Sequence, residues 1–273
     1  MTRLNITPED REALQGRVVV ASISGGKDSA ALSLWLTEQG IEHERVFADT
    51  GWEHPKTYDY LRGPLSEKIG PISEVSSGLG FRGLVEKKGM FPSRLRRFCT
   101  EHLKVKPISD YLSKLEDPIS AVGIRAAESK ARSKLDRWER FDSIDADTWR
   151  PLIRWSESDV IEIHRRHGLA PNPLYLEGAS RVGCWPCIFA RKAEIEAVAD
   201  TDPERIQEIE SMEAAFLSAG KRYTFFHTRR SGPTVPLPIL DAVSWSRSNK
   251  SNQLELIPEP PEGCRKWGMC DGR

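Results

Sequence analysis

The stretch VVVASISGGKDSAALSLWL, residues 18–36, decides the fold class because a short apolar segment leads through Ser-Gly-Gly into a helical pattern. Residues 18–22 are apolar and β-branched, which is typical of a buried parallel strand. Across residues 28–39 apolar side chains recur at helical spacing, and Gly40 follows, which predicts a helix ending at that glycine. The sequence therefore predicts a strand, a glycine-rich turn and a helix in direct succession.

This glycine-rich turn, residues 24–29, has the composition of a phosphate-binding loop. Glycines allow close backbone approach, and the first turn of a helix offers unpaired N–H groups. A lysine adds a point charge, and serine hydroxyls can donate hydrogen bonds. The turn matches neither G-x-x-x-x-G-K-[ST] nor G-x-G-x-x-G. We therefore expect the phosphates of a ligand to be bound by Ser22, Ser24, Gly25, Gly26, Lys27, Asp28 and Ser29.

The segment ERVFADTGWEHPKTYDYL, residues 44–61, repeats the plan with a strand, a polar turn at Asp49-Thr50-Gly51 and a helix. PISEV and ISAVGI read as two more strands, with a helix over 105–114 before the second. Such alternation predicts an α/β fold with a doubly wound parallel sheet, in which ligands bind at the carboxyl ends of the strands. After residue 150 we expect two helices, at 157–169 and 202–220, and mostly loop over 228–263.

Composition narrows the class of protein further. The 273 residues carry 40 basic and 40 acidic side chains, so the overall charge argues for no particular partner. No stretch approaches the roughly 18 apolar residues that a membrane helix needs, and the N-terminus has no apolar signal core. We expect a cytoplasmic protein without a membrane partner. In a reducing compartment, five cysteines favour metal binding or catalysis over disulfides.

Three further segments extend the phosphate-binding interpretation into a family resemblance. SGGKDS matches the PP-motif of the ATP pyrophosphatase superfamily, and FADTGWEHPKTYDYL resembles the Asp-Thr-Gly segment of the phosphoadenosine phosphosulfate (PAPS) reductase family. GIRAAESKAR and WRPLIRWSESDVIEIHRRHGL resemble later segments of that family. The resemblance covers roughly residues 15–190, and the chain is similar also to PP-loop proteins of DNA phosphorothioation and to phage-type reductase-like proteins.

The resemblance implies an adenine nucleotide alpha hydrolase-like fold that binds ATP or an adenylyl sulfate nucleotide. It implies a PAPS reductase-like domain over residues 1–195, followed over 196–273 by a helical segment and a tail, rich in Pro and Gly, that returns to a metal site. Besides the glycine-rich turn, the implied nucleotide contacts are Asp49, Thr50, Gly51, Gly123 and Arg125. Glu128 and Arg132 are further candidates, although Arg132 also fits a solvated charge.

The cysteines occupy three places in the chain. Cys184 and Cys187 form a C-x-x-C pair, and Cys264 and Cys270 lie near the end. Cys99 stands among basic residues in RLRRFCTEHLKVKP, a setting that is expected to lower the pKa of its thiol.

Two metal sites agree with this cysteine pattern. The resemblance to adenylyl sulfate reductases implies a 4Fe-4S cluster held by Cys99, Cys184, Cys187 and either Cys270 or Cys264, although Phe98 stands where those enzymes have an adjacent cysteine. Alternatively, Cys184, Cys187, Cys264 and Cys270 form a tetrahedral zinc site. Spacing alone does not separate the two metals, and the family favours iron–sulfur.

Three functions follow as hypotheses. In the first, an ATP pyrophosphatase adenylates an acceptor so that sulfur displaces AMP, with Mg²⁺ on the phosphates and with Lys27, Asp28, Cys99 and Arg125 as catalytic candidates. In the second, a reductase makes sulfite with a thioredoxin-like partner, although the tail lacks the family's Glu-Cys-Gly-Leu-His motif. In the third, a nucleotide-binding module docks on nucleic acid through its basic segments. A sulfur donor, a nucleic-acid acceptor and a homodimer are the other expected partners.

A few residues near these motifs have two interpretations. Trp52 can stack on a base or pack in the core, and His54 and His102 are candidate substrate contacts. His164 and His167 lack the carboxylate motif of a zinc enzyme, so we expect both at the surface.

Overall fold

A computed structural model describes residues 5–228 and 235–248 of the chain. Its centre is a six-stranded sheet with a two-stranded ribbon beside it. The strands are β1 (Val18–Ile23), β2 (Glu44–Asp49), β3 (Ser73–Ser76), β4 (Pro118–Val122), β5 (Trp138–Phe141), β6 (Ala146–Trp149), β7 (Phe226–Thr228) and β8 (Val235–Leu237).

The strand order in the main sheet is β3-β2-β1-β4-β6-β5, and all neighbours are parallel except β5 and β6. The chain therefore leaves β1 towards one edge, returns after β3, and continues on the other side through β4. This reversal creates a topological switch point between β1 and β4, where the loops at the carboxyl ends diverge and leave a crevice. The glycine-rich turn follows β1 directly and lies at this crevice.

Helices surround the sheet and begin at recognisable caps. The side chains of Thr7 and Ser156 each accept a hydrogen bond from the third helical N–H. The carboxylate of that third residue in turn accepts from the backbone N–H of the Thr or Ser. The helices are α1 (Pro8–Leu14), α2 (Lys27–Glu38), α3 (Pro55–Tyr60), α4 (Ser66–Ile69), α5 (Gly80–Lys88), α6 (Phe98–Thr100), α7 (Lys106–Leu112), α8 (Glu157–Arg166), α9 (Pro173–Leu176), α10 (Lys192–Thr201), α11 (Pro203–Ser218) and α12 (Ile239–Arg247). Two π-helical turns, Leu61–Leu65 and Glu101–Val105, join α3 to α4 and α6 to α7.

Two large hydrophobic clusters organise the molecule. The first lies between the main sheet and helices α2 and α8, with Trp35 and Trp149 fully buried in it. The second cluster is built on aromatic rings, including Trp52, Phe81 and Phe225, and joins α5 to α10, α11 and α12. The C-terminal helices thus share one core with the loop that follows β2.

Two features differ from the sequence expectations. The stretch predicted as mostly loop over 228–263 contains β8 and α12, because Ala242 and Ile239 bury one face of that helix against the second cluster. The edge pair β5–β6 was not anticipated, because each strand has only four residues and β5 is charged at Glu139 and Arg140. Among the residues that the structure describes, no helix has the length and apolar character needed to cross a bilayer.

Candidate active site

The glycine-rich turn is held in one shape by its backbone and its serines. Gly25 has φ +71°, and a Cβ there would lie 2.9 Å from Thr57 Cγ2. Ser29 Oγ donates to Gly26 O at 2.9 Å and accepts from Ser24 N at 3.1 Å. Glycine is therefore required where the backbone is left-handed, and the first N–H groups of α2 face the crevice edge of the sheet.

The turn after β4 packs directly against the start of α2. A Cβ at Gly123 would lie 2.4 Å from the carbonyl oxygen of Asp28, so this approach leaves room for a hydrogen atom alone. Arg125 is 5% exposed, and its Nε donates to Asp28 Oδ1. Glu128 accepts from Arg125 N at 2.8 Å and forms an ion pair with the more exposed Arg132. The structure thus brings Asp28 and Arg125 together, and it favours the solvated interpretation of Arg132.

Lys27 is buried, with 7% of its surface exposed. Its Nζ lies 3.7 Å from both Asp28 Oδ2 and Glu157 Oε1, and 4.9 Å above the ring of Tyr175. These separations exceed the length of a strong hydrogen bond, so the ammonium keeps donors for an anion that enters the crevice.

The turn after β2 carries a second set of acceptors. Asp49 Oδ1 accepts from Gly51 N at 2.8 Å and from Tyr58 Oη at 2.6 Å. Glu53 is 3% exposed and accepts from Thr50 Oγ1 at 2.8 Å. The Asp-Thr-Gly turn is therefore fixed by its own carboxylates at the same edge of the sheet as the glycine-rich turn.

Three side chains that the sequence analysis did not assign to the site fasten the glycine-rich turn. His164 Nε2 lies 2.9 Å from Lys27 O, Tyr175 Oη accepts from Lys27 N at 3.3 Å, and Asn172 Nδ2 donates to Gly25 O at 3.2 Å. His164 is fully buried, so its expected place at the surface is wrong. The imidazole lies where α8 meets the turn, and burial lowers its pKa.

The C-x-x-C loop is attached to the Asp-Thr-Gly turn. Trp185 N donates to Trp52 O at 2.7 Å, and Glu53 forms an antiparallel bridge with Cys184. Trp52 Nε1 donates to Pro186 O at 3.0 Å. The cysteine loop and the loop after β2 are therefore one hydrogen-bonded unit.

Positively charged side chains lie near two of the described cysteines. Cys184 helps to raise the pKa of the Lys104 ammonium, and Cys187 helps to raise the pKa of the Arg181 guanidinium, so a cation lies near each of these two cysteines. Cys99 lies close enough to Cys187 for the charge of Cys187 to contribute to raising the pKa of Cys99. We call Cys99, Cys184 and Cys187 the cysteine cluster.

The ionisation of Cys99 differs from the sequence expectation. Burial raises the pKa of its thiol, and this outweighs the opposing effects of the Thr100 hydrogen bond and of Lys104. Burial raises the pKa of Cys184 as well, although Lys104 acts in the opposite direction. The expected lowering at Cys99 is wrong because desolvation of the thiolate exceeds the attraction of the surrounding cations.

The cysteine cluster supplies thiol donors, the chemistry that suits zinc or iron–sulfur. Within residues 5–228 and 235–248, however, no three His, Cys, Asp or Glu side chains are arranged to hold a metal ion. Cys264 and Cys270 lie outside the described residues. The three described thiols alone do not complete either predicted ligand set.

The remaining candidates near the site have structural contacts. Trp52 is 1% exposed and packs on Phe81 with ring centroids 4.5 Å apart, which favours the core interpretation. His54 caps α3 by accepting from Lys56 N at 3.0 Å. His102 is half-buried in the π-helical turn after α6.

Known protein sequences resemble this chain over the part that contains these motifs. A model of the phosphoadenosine phosphosulfate reductase domain matches residues 18–190. An uncharacterised 37.8 kDa protein of Escherichia phage 186 is 33% identical over 271 residues, covering 78% of this chain and 80% of that protein. The adenosine 5'-phosphosulfate reductase of Oceanobacillus iheyensis is 39% identical over 179 residues, covering 63% of this chain and 72% of the enzyme. An uncharacterised protein of Methanocaldococcus jannaschii is 31% identical, and the chain spans 44% of its length.

Solved structures agree on the fold. The PAPS reductase of Candida auris in its phosphate complex has a TM-score of 0.51 at 18% identity, over 67% of this chain and 91% of that one. The FMN adenylyltransferase of Candida glabrata with FAD and inorganic pyrophosphate has a TM-score of 0.50 at 15% identity, over 95% of this chain and 75% of that one. The predicted doubly wound, adenine nucleotide alpha hydrolase-like sheet is confirmed.

Proposed function

Because the chain belongs to the phosphoadenosine phosphosulfate reductase domain family, we propose that it is a PP-loop ATP pyrophosphatase that activates an acceptor for sulfur transfer. One observation carries this proposal. The glycine-rich turn, the turn at Gly123 and the Asp-Thr-Gly turn all follow strands at the carboxyl edge of the sheet, next to its switch point. That is where an α/β sheet binds a nucleotide.

In the proposed reaction, an acceptor oxygen attacks the α-phosphorus of ATP. An O–P bond forms, the bond between the α-phosphorus and its bridging oxygen breaks, and pyrophosphate leaves. The N–H groups of the glycine-rich turn and the Lys27 ammonium stabilise the charge that grows on pyrophosphate. Arg125 holds the Asp28 carboxylate in place. Mg²⁺ suits the carboxylate oxygens of Asp28 and Asp49 and would neutralise part of the phosphate charge when bound.

Sulfur transfer follows adenylation. A sulfur nucleophile from a donor attacks the activated carbon of the acceptor, a C–S bond forms, and AMP leaves with the acceptor oxygen. The cysteine loop supports this step because it is hydrogen bonded to the turn after β2, at the edge where the nucleotide would lie. If the metal is bound by the zinc set, which leaves Cys99 without a metal, Cys99 is the proposed cysteine that carries the sulfur, since it lies outside the C-x-x-C pair in the cysteine cluster.

The proposal is tested first by nucleotide binding. Lys27→Ala removes the buried ammonium, and we expect the Kd for ATP, measured by calorimetry, to rise at least about tenfold. Pyrophosphate release in the presence of an acceptor should fall about a hundredfold. Lys68→Ala, at an exposed position in α4, is the matched control and should leave both unchanged. Unchanged ATP binding in the Lys27 variant would show that the nucleotide binds elsewhere.

We also propose that the cysteine cluster, completed by Cys270 or Cys264, binds a 4Fe-4S cluster, with zinc as the alternative. Lys104 near Cys184 and Arg181 near Cys187 support this, because the cations would balance the charge of thiolate ligands. Anaerobic absorption spectra with metal analysis distinguish the metals. Loss of the visible cluster absorption in Cys99→Ser supports iron–sulfur, whereas zinc retained in that variant supports the set without Cys99.

A second function, reduction of an adenylyl sulfate, is favoured by one observation. The chain is 39% identical to an adenosine 5'-phosphosulfate reductase over 179 residues. In that reaction a thiol attacks the sulfate sulfur, and the nucleotide leaves as AMP or as 3'-phosphorylated AMP. A thioredoxin-type dithiol then releases sulfite from the thiol and becomes a disulfide. Sulfite formed from an adenylyl sulfate and reduced thioredoxin, with no pyrophosphate from ATP, would select this function over the first.

A further inference from the structure

A strongly basic loop lies beside the cysteine cluster and is not used by the proposed chemistry. Residues 94–97, Arg-Leu-Arg-Arg, are all exposed, and we call them the arginine loop. Between residues 87 and 106 the chain has seven Lys and Arg side chains and one Glu, although its overall charge is zero. The positive charge is therefore concentrated locally, in a chain that is neutral overall.

Two arginines of this loop lie over the same aromatic ring. The guanidinium carbons of Arg94 and Arg97 lie 5.6 Å and 5.2 Å from the centre of the Phe189 ring. When the plane of a guanidinium lies over an aromatic ring, the ring attracts the cation, and the N–H groups at the edge of the guanidinium remain available to oxygen acceptors. Phe189 comes two residues after Cys187, so these charges stand at the cysteine cluster.

The arginine loop differs from other exposed arginines in its partners. Arg62 and Arg82 are neutralised by carboxylates at 2.9 Å and 3.0 Å. Across the part of the chain that the structure describes, none of the ion pairs includes Arg94, Arg96 or Arg97. Arg97 instead donates to Thr100 Oγ1 at 3.2 Å, and Arg96 contacts the sulfur of Met90 at 3.7 Å. Their charge is left for a partner.

The positive surface continues beyond the loop. Lys88 Nζ lies 5.9 Å from the centre of the Phe98 ring, and Lys221 Nζ would lie 3.3 Å from a Cβ at Gly89. Cations from α5 and from the chain after α11 therefore lie near Phe98 and Gly89, on either side of the arginine loop in the sequence. Spaced cations of this kind match the repeated phosphates of a polyanion.

We propose that the arginine loop binds the phosphodiester backbone of a nucleic acid and brings it to the cysteine cluster. This deepens the proposed function by naming the class of acceptor, and it rests on that function. An anionic membrane is the less suitable partner, because Leu95 is the single large apolar side chain in the loop and a membrane-surface segment needs a broad apolar face.

Fluorescence anisotropy with labelled oligonucleotides tests the proposal without ATP. The oligonucleotides should have about 30 nucleotides, roughly twice the length that a single nucleic-acid-binding domain covers at most. Single-stranded DNA, single-stranded RNA and duplex DNA form three arms that identify the preferred source of the backbone. We expect binding at low salt, with log Kd rising linearly with log salt. The double variant Arg94→Gln/Arg97→Gln should weaken binding roughly tenfold per arginine at 0.1 M salt and reduce the salt slope by about 2.

The control Arg62→Gln/Arg140→Gln removes the same charge from two exposed arginines that have carboxylate partners. Equal weakening in this control would overturn the proposal, as would failure of all three oligonucleotides to bind. Preferential binding to anionic lipid vesicles over every oligonucleotide would overturn it as well. Lys27→Ala should retain full oligonucleotide affinity, so loss of ATP binding in that variant and loss of oligonucleotide binding in the arginine variant report on separate claims.

Discussion

The two ends of the proposed site are built by different kinds of contact. At the nucleotide end, strand ends, close glycines and backbone hydrogen bonds set the geometry, as at Gly25 and Gly123. At the cysteine end, an aromatic cluster including Phe225 packs against the loops, and the Lys104 ammonium lies near half-buried cysteines. Backbone geometry tolerates almost no change, whereas side-chain packing can relax. The two ends should therefore fail differently when they are altered.

The largest effect is expected at Gly123. Gly123→Ala places a methyl group 2.4 Å from the backbone oxygen of Asp28, and because that methyl is bonded directly to the Cα, the clash can be relieved only by moving backbone. We expect a loss of about 4 kcal/mol in the free energy of unfolding and at least a hundredfold loss in kcat/KM. Urea denaturation and steady-state kinetics measure the two.

Gly183→Ala is the matched control beside the C-x-x-C pair, because a Cβ there has no heavy atom within 4 Å. Its cost should stay within about 0.5 kcal/mol. If the two alanine variants were equally stable, the backbone approach at Gly123 would not be what fixes the nucleotide end.

The nucleotide end was largely predictable because its information is local. A β-branched strand, a Ser-Gly-Gly turn and a helix pattern lie within residues 18–36, and the structure has β1 and α2 there. Strand alternation then places the turns after β2 and β4 at the same edge. Arg125 follows β4 by three residues, so its approach to Asp28 also follows from the order of the strands.

The second effect concerns the aromatic cluster. Phe225 is 1% exposed, and its ring lies 5.8 Å from Phe81 and 5.7 Å from Phe91. Phe225→Ala should cost about 3 kcal/mol through lost burial and a cavity. We expect faster labelling of the cysteine cluster by a thiol reagent. The Kd for ATP should change less than about threefold, which corresponds to less than about 0.7 kcal/mol of binding free energy.

Tyr223→Ala provides the comparison, because Tyr223 is 37% exposed and makes one edge-on contact with Phe216. It should leave thiol labelling unchanged. Equal loss of ATP affinity and thiol protection in Phe225→Ala would mean that the two ends are one cooperative unit.

The parts that the sequence did not predict depend on long-range contacts. Asn172 and Tyr175 reach the glycine-rich turn from about 147 residues away, and neither belongs to a motif. His164 carried a usable signal, because it follows the buried Val160 by four residues and so shares its helix face. The thiol pKa at Cys99 was predicted with the wrong sign, because charge is visible in a sequence and burial is not.

The smallest effect belongs to His164, whose Nε2 lies 2.9 Å from Lys27 O at the nucleotide end. His164→Gln shortens the donor and should cost about 1 kcal/mol, the net value of one hydrogen bond, or about a fivefold rise in the Kd for ATP. His167→Gln is the control, since His167 pairs with Glu38 near the surface and should change stability by less than about 0.5 kcal/mol.

A pH series separates the role of His164 from simple packing. Burial lowers the pKa of His164 below 6.5, although hydrogen bonds to the Lys27 and Leu169 backbone act in the opposite direction. The unfolded chain therefore takes up a proton first, so the stability that neutral His164 contributes is complete above about pH 6.5 and declines as the pH falls. His43, whose pKa burial lowers to about 4, titrates in the same sense in both proteins. The decline should be shallower in His164→Gln, and an equally steep decline would mean that the buried imidazole does not hold the turn as a neutral donor.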